Sequence, residues 1–219
     1  MGASCGQIQR LAKVLSFSLL YPILLKQKIF KEKLSMQNIQ RKVAVFAGGC
    51  FWCMEAVFSL FQGIESILPG YTGGLTENPR YDEVCTGDTG HAEAIKIIYN
   101  PNKISYLELL KIFFASHNPC TLNQQGADIG TQYRSAIFYT DEEQNVTADE
   151  YLKRLRQDHV FPSKITTELI PLKVFWPAED YHHNYFEHHP DQAYCQISIK
   201  SKVDKIKKLQ KTDFLGAKQ

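Results

Sequence analysis

Along the chain the spacing of apolar positions switches repeatedly between a strand period and a helix period. "VAVFA" (43–47) is a continuous apolar run ended by Gly48 and Gly49, which predicts a buried strand. From Cys50 the period lengthens. Met54, Val57, Leu60 and Phe61 recur at helical spacing, and Gly63 closes the helix they predict. "IESILPGY" (64–71) and "HAEAIKIIY" (91–99) predict two more strands, and Ile104, Leu107, Leu110 and Phe114 a second helix. "YRSAIFYT" (133–140) predicts a strand. "DEEQNVTADEYLKRLRQ" (141–157) opens with acidic residues, as a helix N-terminus favours, and "ITTELIPL" (165–172) is a weaker strand. The remainder, with "AEDYHHNYFEHHPDQAYC" (178–195), predicts a short helix and then coil. The order is β-α-β, long loop, β-α-β, then an α-β appendage. It predicts an α+β fold with a split β-α-β (ferredoxin-like) core and a mostly antiparallel sheet covered by helices.

Two long polar segments interrupt this pattern, 70–90 and 118–132, and loops of that size in compact domains are usually functional. The 219 residues suit one domain with embellishments. A formal net charge of +2 gives no argument for nucleic acid, and the lysine runs at 26–42 and 200–218 read as solvated tails. Residues 1–40 read as a leader or disordered extension, with Met36 as an alternative start, residues 41–200 as the catalytic domain and 201–219 as a basic C-terminal tail. The apolar stretch "VLSFSLLYPILL" (14–25) is too short to span a bilayer as a helix, and no small-residue cleavage site follows it. "MGASCG" lacks the Ser or Thr that a myristoylation signal carries at position 6. The six cysteines, Cys5, Cys50, Cys53, Cys85, Cys120 and Cys195, are irregularly spaced in a chain that needs no disulfide framework. A reducing, cytoplasmic setting is expected, and a monomer.

Candidate chemistry concentrates in "FAGGCFWCMEAVF" (46–58). Cys50 follows two glycines at a strand-to-helix junction, where free N–H groups and the helix dipole are expected to lower a thiol's pKa and make it a nucleophile. Phe51 and Trp52 point in different directions, so at least one is expected to line a pocket beside the sulfur, suited to a small apolar group such as a methyl. Cys50 and Cys53 form C-x-x-C, a spacing that closes a disulfide within one turn and also occurs in redox and zinc sites. His183 and His188 have zinc-ligand spacing but lie far from those cysteines in sequence, so no metal is expected. The histidines at 182, 183, 188 and 189 read instead as a solvated helical segment. Strand alternation puts Glu93 on one face with Ile95 and Ile97, where desolvation raises a carboxyl pKa and lets it donate a proton at neutral pH. A hydrogen-bonded loop-end Glu is an equal alternative. Tyr81 and Tyr133 flank the long segments as phenol donors or as surface aromatics, and Asp128 as a site or turn residue. C-x-x-C alone also fits a thioredoxin-type disulfide oxidoreductase or a metal-binding module, and Cys50 with His91 a cysteine hydrolase.

Taken together, "GGCFWCMEAVF", "GYTGG", "YDEVCTGDTGHAEAIKIIY" and "DIGTQYRSAIFY" resemble the peptide methionine sulfoxide reductases of the A type, over about residues 41–200. The resemblance implies an α+β two-layer sandwich and thiol-dependent reduction of methionine S-sulfoxide, free or in proteins, as repair of oxidative damage. It makes Cys50 the nucleophile and Phe51 and Trp52 the methyl pocket. Glu93 becomes the proton donor to the sulfoxide oxygen, Tyr81 and Tyr133 hydrogen-bond that oxygen, and Asp128 shapes the site. It also implies a Cys50 sulfenic acid, an intramolecular disulfide and external reduction by thioredoxin, with no bound cofactor. Many members carry Gly where this chain has Cys53. Cys195 occupies another resolving position, so two thiols compete for one role, with Cys195 slightly favoured.

Overall fold

A six-stranded sheet in the order β7-β6-β1-β3-β2-β8 organises the protein, seen in a computed structural model that describes residues 40–212. The expectations for residues 1–39, including the 14–25 stretch and Met36, lie outside the described residues, as does the end of the tail at 213–219. The strands are β1 (Lys42–Gly48), β2 (Ile64–Thr72), β3 (Ala92–Tyr99), β6 (Ser135–Tyr139), β7 (Glu168–Pro171) and β8 (Phe175–Pro177). A separate two-stranded hairpin joins β4 (Gln124–Gln125) to β5 (Asp128–Ile129). Every sheet neighbour is antiparallel except β6 and β7. Because β1 and β2 are both antiparallel to β3 between them, they run in the same direction, joined by the helix that follows β1.

The helices are α1 (Phe51–Phe58), α2 (Tyr81–Cys85), α3 (Tyr106–Ser116), α4 (Glu142–Gln157), α5 (Tyr185–His188) and α6 (Lys200–Gln210). Strand alternation divides the core. Ala44 and Phe46 of β1 and Ile95 and Ile97 of β3 join the large cluster formed with α1, α3, α4 and α6. Val45, Ala47, Ala92, Ala94, Ala136 and Phe138 point the other way, into a smaller cluster. Phe46 stacks on Phe113 of α3 at 5.0 Å between ring centroids, fixing that helix over the sheet. Helix α3 starts at a capping box, in which Ser105 accepts from the Glu108 N–H and Glu108 accepts from the Ser105 N–H.

Several expectations are corrected. The 70–90 segment contains α2, and 118–132 contains the β4–β5 hairpin. Residues Thr131–Tyr133 form a 3-10 turn, so the strand predicted from 133 begins at Ser135. Strand β8 is too short to show a period and exists because it pairs with β2. The largest difference is at the C-terminal end. Cys195 was expected in coil and lies in a π-helical turn, Cys195–Ile199, that continues into α6. Of the lysine run expected as a solvated tail, Lys200–Gln210 form that helix. Ile199, Val203 and Ile206 make a buried apolar stripe at helical spacing, which the surrounding lysines obscure in the sequence. Ile206 is 0% exposed, so Ile206→Ala should destabilise the fold by about 2–5 kcal/mol in chemical unfolding. A solvated tail predicts a change near zero, and that result would show that α6 does not dock.

Candidate active site

The β1–α1 junction is built on Gly49, whose φ of +89° is disfavoured for other residues. A Cβ there would also sit 2.6 Å from the Gln125 side chain, which packs over the turn. The turn delivers Cys50 to the N-cap of α1 with no side-chain cap bond. The first free helix N–H, on Phe51, donates to the Glu93 carboxylate at 3.0 Å. Glu93 is 1% exposed and shares the helix-facing side of β3 with Ile95 and Ile97. Burial pushes its carboxyl up to about 8, against the Phe51 N–H, which lowers it, and the nearby Asp128 raises it further. At neutral pH Glu93 is largely protonated.

The thiols depart from the simple helix-dipole expectation. Cys50 is 4% exposed, and burial pushes its thiol well above its ordinary value, assisted by the Cys53 thiol and by Glu93. The amide that could have stabilised its thiolate is bound to Glu93 instead. Cys53 is lowered to about 7, chiefly by its hydrogen bond with Cys50 and then by the Lys202 ammonium, against desolvation. Within the pair, Cys53 is the easier thiol to ionise in this conformation.

Aromatic rings wall the site. Phe51 is buried, with ring contacts to Tyr81 (6.3 Å), Tyr71 (5.9 Å) and His182 (4.9 Å). Trp52 is half-buried, stacks face to face on Tyr185 at 3.7 Å and donates its indole N–H to His182 Nδ1 at 3.1 Å. Tyr81 and Tyr133 are half-buried within the field of Glu93, and desolvation raises both phenols, keeping them as O–H donors. Asp128, on β5, accepts from the Tyr194 hydroxyl at 2.8 Å. That hydroxyl lies 3.8 Å from Cys53 Sγ.

The structure thus brings together Cys50, Cys53, Phe51, Trp52, Tyr81, Glu93, Asp128 and Tyr133, drawn from α1, α2, β3, β5 and the turn before β6. Cys195 is 0% exposed in the same buried cluster as Cys50 and Cys53, on a π-helical turn that packs against α1, and it makes no hydrogen bond to either thiol. Several residues were missed in the sequence. His182 was placed in a solvated helix but is 0% exposed, its Nδ1 taken by Trp52 and its Nε2 3.7 Å from Glu179 Oε2. Glu179 also accepts from the Tyr71 hydroxyl at 2.8 Å and the Tyr81 N–H at 3.0 Å. Glu55, 4% exposed, accepts from the Asn184 N–H at 2.9 Å and clasps the segment carrying Tyr185 onto α1. The density of aromatic rings among the charges of 181–186 was the available signal. Among the described residues, no group of three or more His, Cys, Asp or Glu side chains is placed to hold a metal ion.

A buried thiol pair at a helix N-terminus, a buried protonated carboxyl beside it and an aromatic wall make up a site for thiol redox chemistry. Residues 42–214 match the family model described as peptide methionine sulfoxide reductase. The peptide methionine sulfoxide reductase MsrA of Picrophilus torridus is 53% identical over 165 residues, covering 75% of this chain and 93% of that protein. The MsrA of Deinococcus radiodurans is 50% identical over 164 residues, covering 75% and 80%. Among solved structures, reduced Mxr1 from Saccharomyces cerevisiae superposes with a TM-score of 0.67 at 32% identity, covering 72% of this chain and 91% of that one. Methionine sulfoxide reductase A of Corynebacterium diphtheriae gives 0.62 at 32%, covering 68% and 76%. The chain belongs to the peptide methionine sulfoxide reductase family, a family of oxidoreductases, and within it to the A type.

The raised Glu93 pKa carries a sign. Between the unfolded carboxyl value and about 8, the folded protein holds a proton that the unfolded chain releases, so this group's contribution falls as pH rises. The Tm of Glu93→Gln minus that of the unmodified protein should therefore grow from pH 5 to pH 8. A difference that stays flat across that range means Glu93 ionises normally.

Proposed function

We propose that this chain reduces the S epimer of methionine sulfoxide, free or in proteins, with Cys50 as nucleophile and Glu93 as acid. The observation that carries this reading is the buried Glu93 carboxyl, tied to the N–H next to Cys50 and largely protonated at neutral pH. A disulfide exchanger or a metal module has no use for such an acid. The hydrolase alternative loses its base, because His91 bonds the Gly74 N–H at 3.1 Å and the Thr76 carbonyl at 2.7 Å.

In the proposed sequence the substrate methyl lies between Phe51 and Trp52. Tyr81 and Tyr133 donate to the sulfoxide oxygen, and Asp128 shapes the pocket. Cys50 is 4% exposed in the closed arrangement, and Tyr194, half-buried and held by Asp128 and Cys53, is the neighbour that must swing away. As Glu93 protonates the oxygen, the sulfoxide sulfur becomes electrophilic and Cys50 attacks it. The bond formed between Cys50 and the substrate sulfur and the substrate S–O bond then break together as the hydroxyl passes to the Cys50 sulfur, so that methionine leaves, Cys50 becomes a sulfenic acid, and the proton lost by Cys50 restores Glu93. A second thiol condenses with the sulfenic acid, releasing water. The placement of Cys53 one helical turn from Cys50, its N–H donating to the Cys50 carbonyl at 3.1 Å, supports Cys53 as first resolver, with Cys195, buried in the same cluster, as the alternative. An external dithiol, thioredoxin by family resemblance, then reduces the disulfide by exchange.

The same reading gives a monomeric, cytoplasmic repair enzyme with no resident cofactor. Its catalytic domain runs from residue 41 to about 200 and is completed by α6. Among the described residues no helix is long and apolar enough to cross a membrane. The strand order around β1 and β3 supports the split β-α-β, ferredoxin-like description of the core.

Single-turnover mixing with one equivalent of methionine sulfoxide tests the roles. Cys50→Ser should release no methionine, and Glu93→Gln should slow release by roughly 10²–10⁴-fold. Methionine formed by Cys50→Ser, or a normal rate in Glu93→Gln at pH 7, rejects the corresponding role. Thiol counting decides the resolver. Cys195→Ser should still lose two thiols per turnover, while Cys53→Ser should stop at sulfenic acid, and the reverse pattern returns the role to Cys195.

A further inference from the structure

His182 is buried, titratable and unused by the chemistry above, yet it lies among the rings that wall the site. It closes a 3-10 turn, Asp180–His182, and is 0% exposed. Its ring centroid is 4.9 Å from that of Phe51, 5.6 Å from that of Trp52 and 4.5 Å from that of Tyr81. Its side-chain hydrogen bond is the one that Trp52 Nε1 donates to Nδ1 at 3.1 Å. An indole N–H only donates, so Nδ1 is the acceptor and the neutral ring carries its hydrogen on Nε2. Nε2 lies 3.7 Å from Glu179 Oε2 and makes no hydrogen bond among the described residues. Glu179 is itself tied down by the Tyr71 hydroxyl and the Tyr81 N–H. Ala178, just before it, donates its N–H to the Pro69 carbonyl of β2 at 3.0 Å. The histidine is thereby mounted on the sheet.

The indole has a freedom that its other contacts leave open. Trp52 sits in the first turn of α1, half-buried, with its face on Tyr185 and the two rings 7° from parallel. Face-to-face stacking fixes the tilt of a ring but lets it slide and turn in its own plane. A directional N–H···N bond at the ring edge removes that freedom.

We propose that His182 is a positioning residue of the methyl site, which holds the Trp52 indole in register with Phe51 and so sets the width of the gap that takes the substrate methyl. This rests on the reading that Phe51 and Trp52 hold that methyl. One wall, Phe51, is packed in the core at 1% exposure, and the other is anchored through His182 to the segment bonded to β2. A gap between two fixed walls discriminates against a larger alkyl group, whereas a wall free to slide admits it.

His182 is not a proton donor in this arrangement. Nδ1 is occupied, and burial holds the ring neutral, lowered to about 4, against the pull of Glu179. The adjacent His183 faces Glu55 instead, at 3.6 Å. Ring packing alone does not do the task either. An apolar side chain fills the same space but leaves the half-buried indole N–H without its acceptor.

The test is single turnover of the full chain over a range of substrate concentrations, with methionine sulfoxide and with its S-ethyl homologue, ethionine sulfoxide. In His182→Leu the concentration giving half the maximal rate with methionine sulfoxide should rise roughly fivefold, the worth of one hydrogen bond, while the maximal rate changes less than about twofold. The preference for the methyl over the ethyl substrate should fall by a similar factor. The position of the acceptor separates this role from packing. His182→Asn carries its amide oxygen where Nδ1 lies and should restore both quantities. His182→Gln carries its amide where Nε2 lies and should behave as His182→Leu, so the Asn–Gln contrast decides the matter even where His182→Leu fails to fold. In a Trp52→Phe background, which has no indole N–H, His182→Gln should add nothing. Wild-type half-saturation and preference in His182→Gln, with Trp52→Phe altered, overturn the role of His182 and leave the methyl wall standing. An unchanged preference in Trp52→Phe overturns the methyl wall and the role of His182 with it. Equal defects in His182→Asn and His182→Gln, or a further loss on adding His182→Gln to Trp52→Phe, reduce His182 to a packing residue.

Discussion

The hydrogen bond from the Phe51 N–H to the Glu93 carboxylate, 3.0 Å long, is the constraint around which the site is organised. It joins β3 to the first turn of α1 and decides how the helix N-terminus is used. A free N–H at such a position stabilises whichever anion reaches it. Here it is the carboxyl of the proposed acid, so the thiol of the proposed nucleophile keeps its proton in the closed arrangement. The cost of burying Glu93 exceeds the gain from this one bond, which is why its pKa stays high. One backbone donor therefore keeps an acid beside a thiol without ionising either at rest.

The second organising feature is the C-terminal third of the chain. It lies outside the β1–β3 core, yet it supplies the environment of both sulfurs. Glu55 clasps the segment at Asn184, Tyr185 stacks on Trp52, the Tyr194 hydroxyl bonds Asp128 and lies 3.8 Å from Cys53 Sγ, and α6 packs on α1. These contacts are polar or aromatic apart from the apolar stripe of α6. Cys50 is 4% exposed beneath this segment, so in the proposed chemistry substrate reaches the sulfur only as the residues covering it move aside.

The division between Cys50 and Cys53 follows from the same geometry. The two thiols are one turn apart, yet burial, assisted by Glu93, pushes the Cys50 thiol up while Cys53 is lowered to about 7. Identical side chains on one helix are thereby given different acidities by what packs against them. Cys195, despite its position after a Tyr near the C-terminus, is turned into the core by the same π-helical turn that aligns α6.

Much of the frame was legible in the residues alone. The continuous apolar run "VAVFA" placed β1, and the alternation in "HAEAIKIIY" placed β3 and put Glu93 on the apolar face, because a period of two leaves few other arrangements. The two glycines before Cys50 located the strand-to-helix turn, since a positive φ at Gly49 is needed there. What pattern could not reveal was everything set by approach from a distant segment. His182 looked solvated because its neighbours are charged, and it is buried because Trp52 donates to it. α6 looked like a tail because its three apolar positions are outnumbered by lysines, and it is ordered because α1 offers a surface for them. The acidity of Cys50 was misjudged because the helix N–H was counted as free, and only the folded chain shows that Glu93 has taken it. Sequence by itself determined the longer strands, the turn and the candidate reactive groups, which depend on local period and side-chain chemistry. Tertiary structure alone decided which group each backbone donor serves and how deeply each thiol is buried, because both depend on distances between segments remote in sequence.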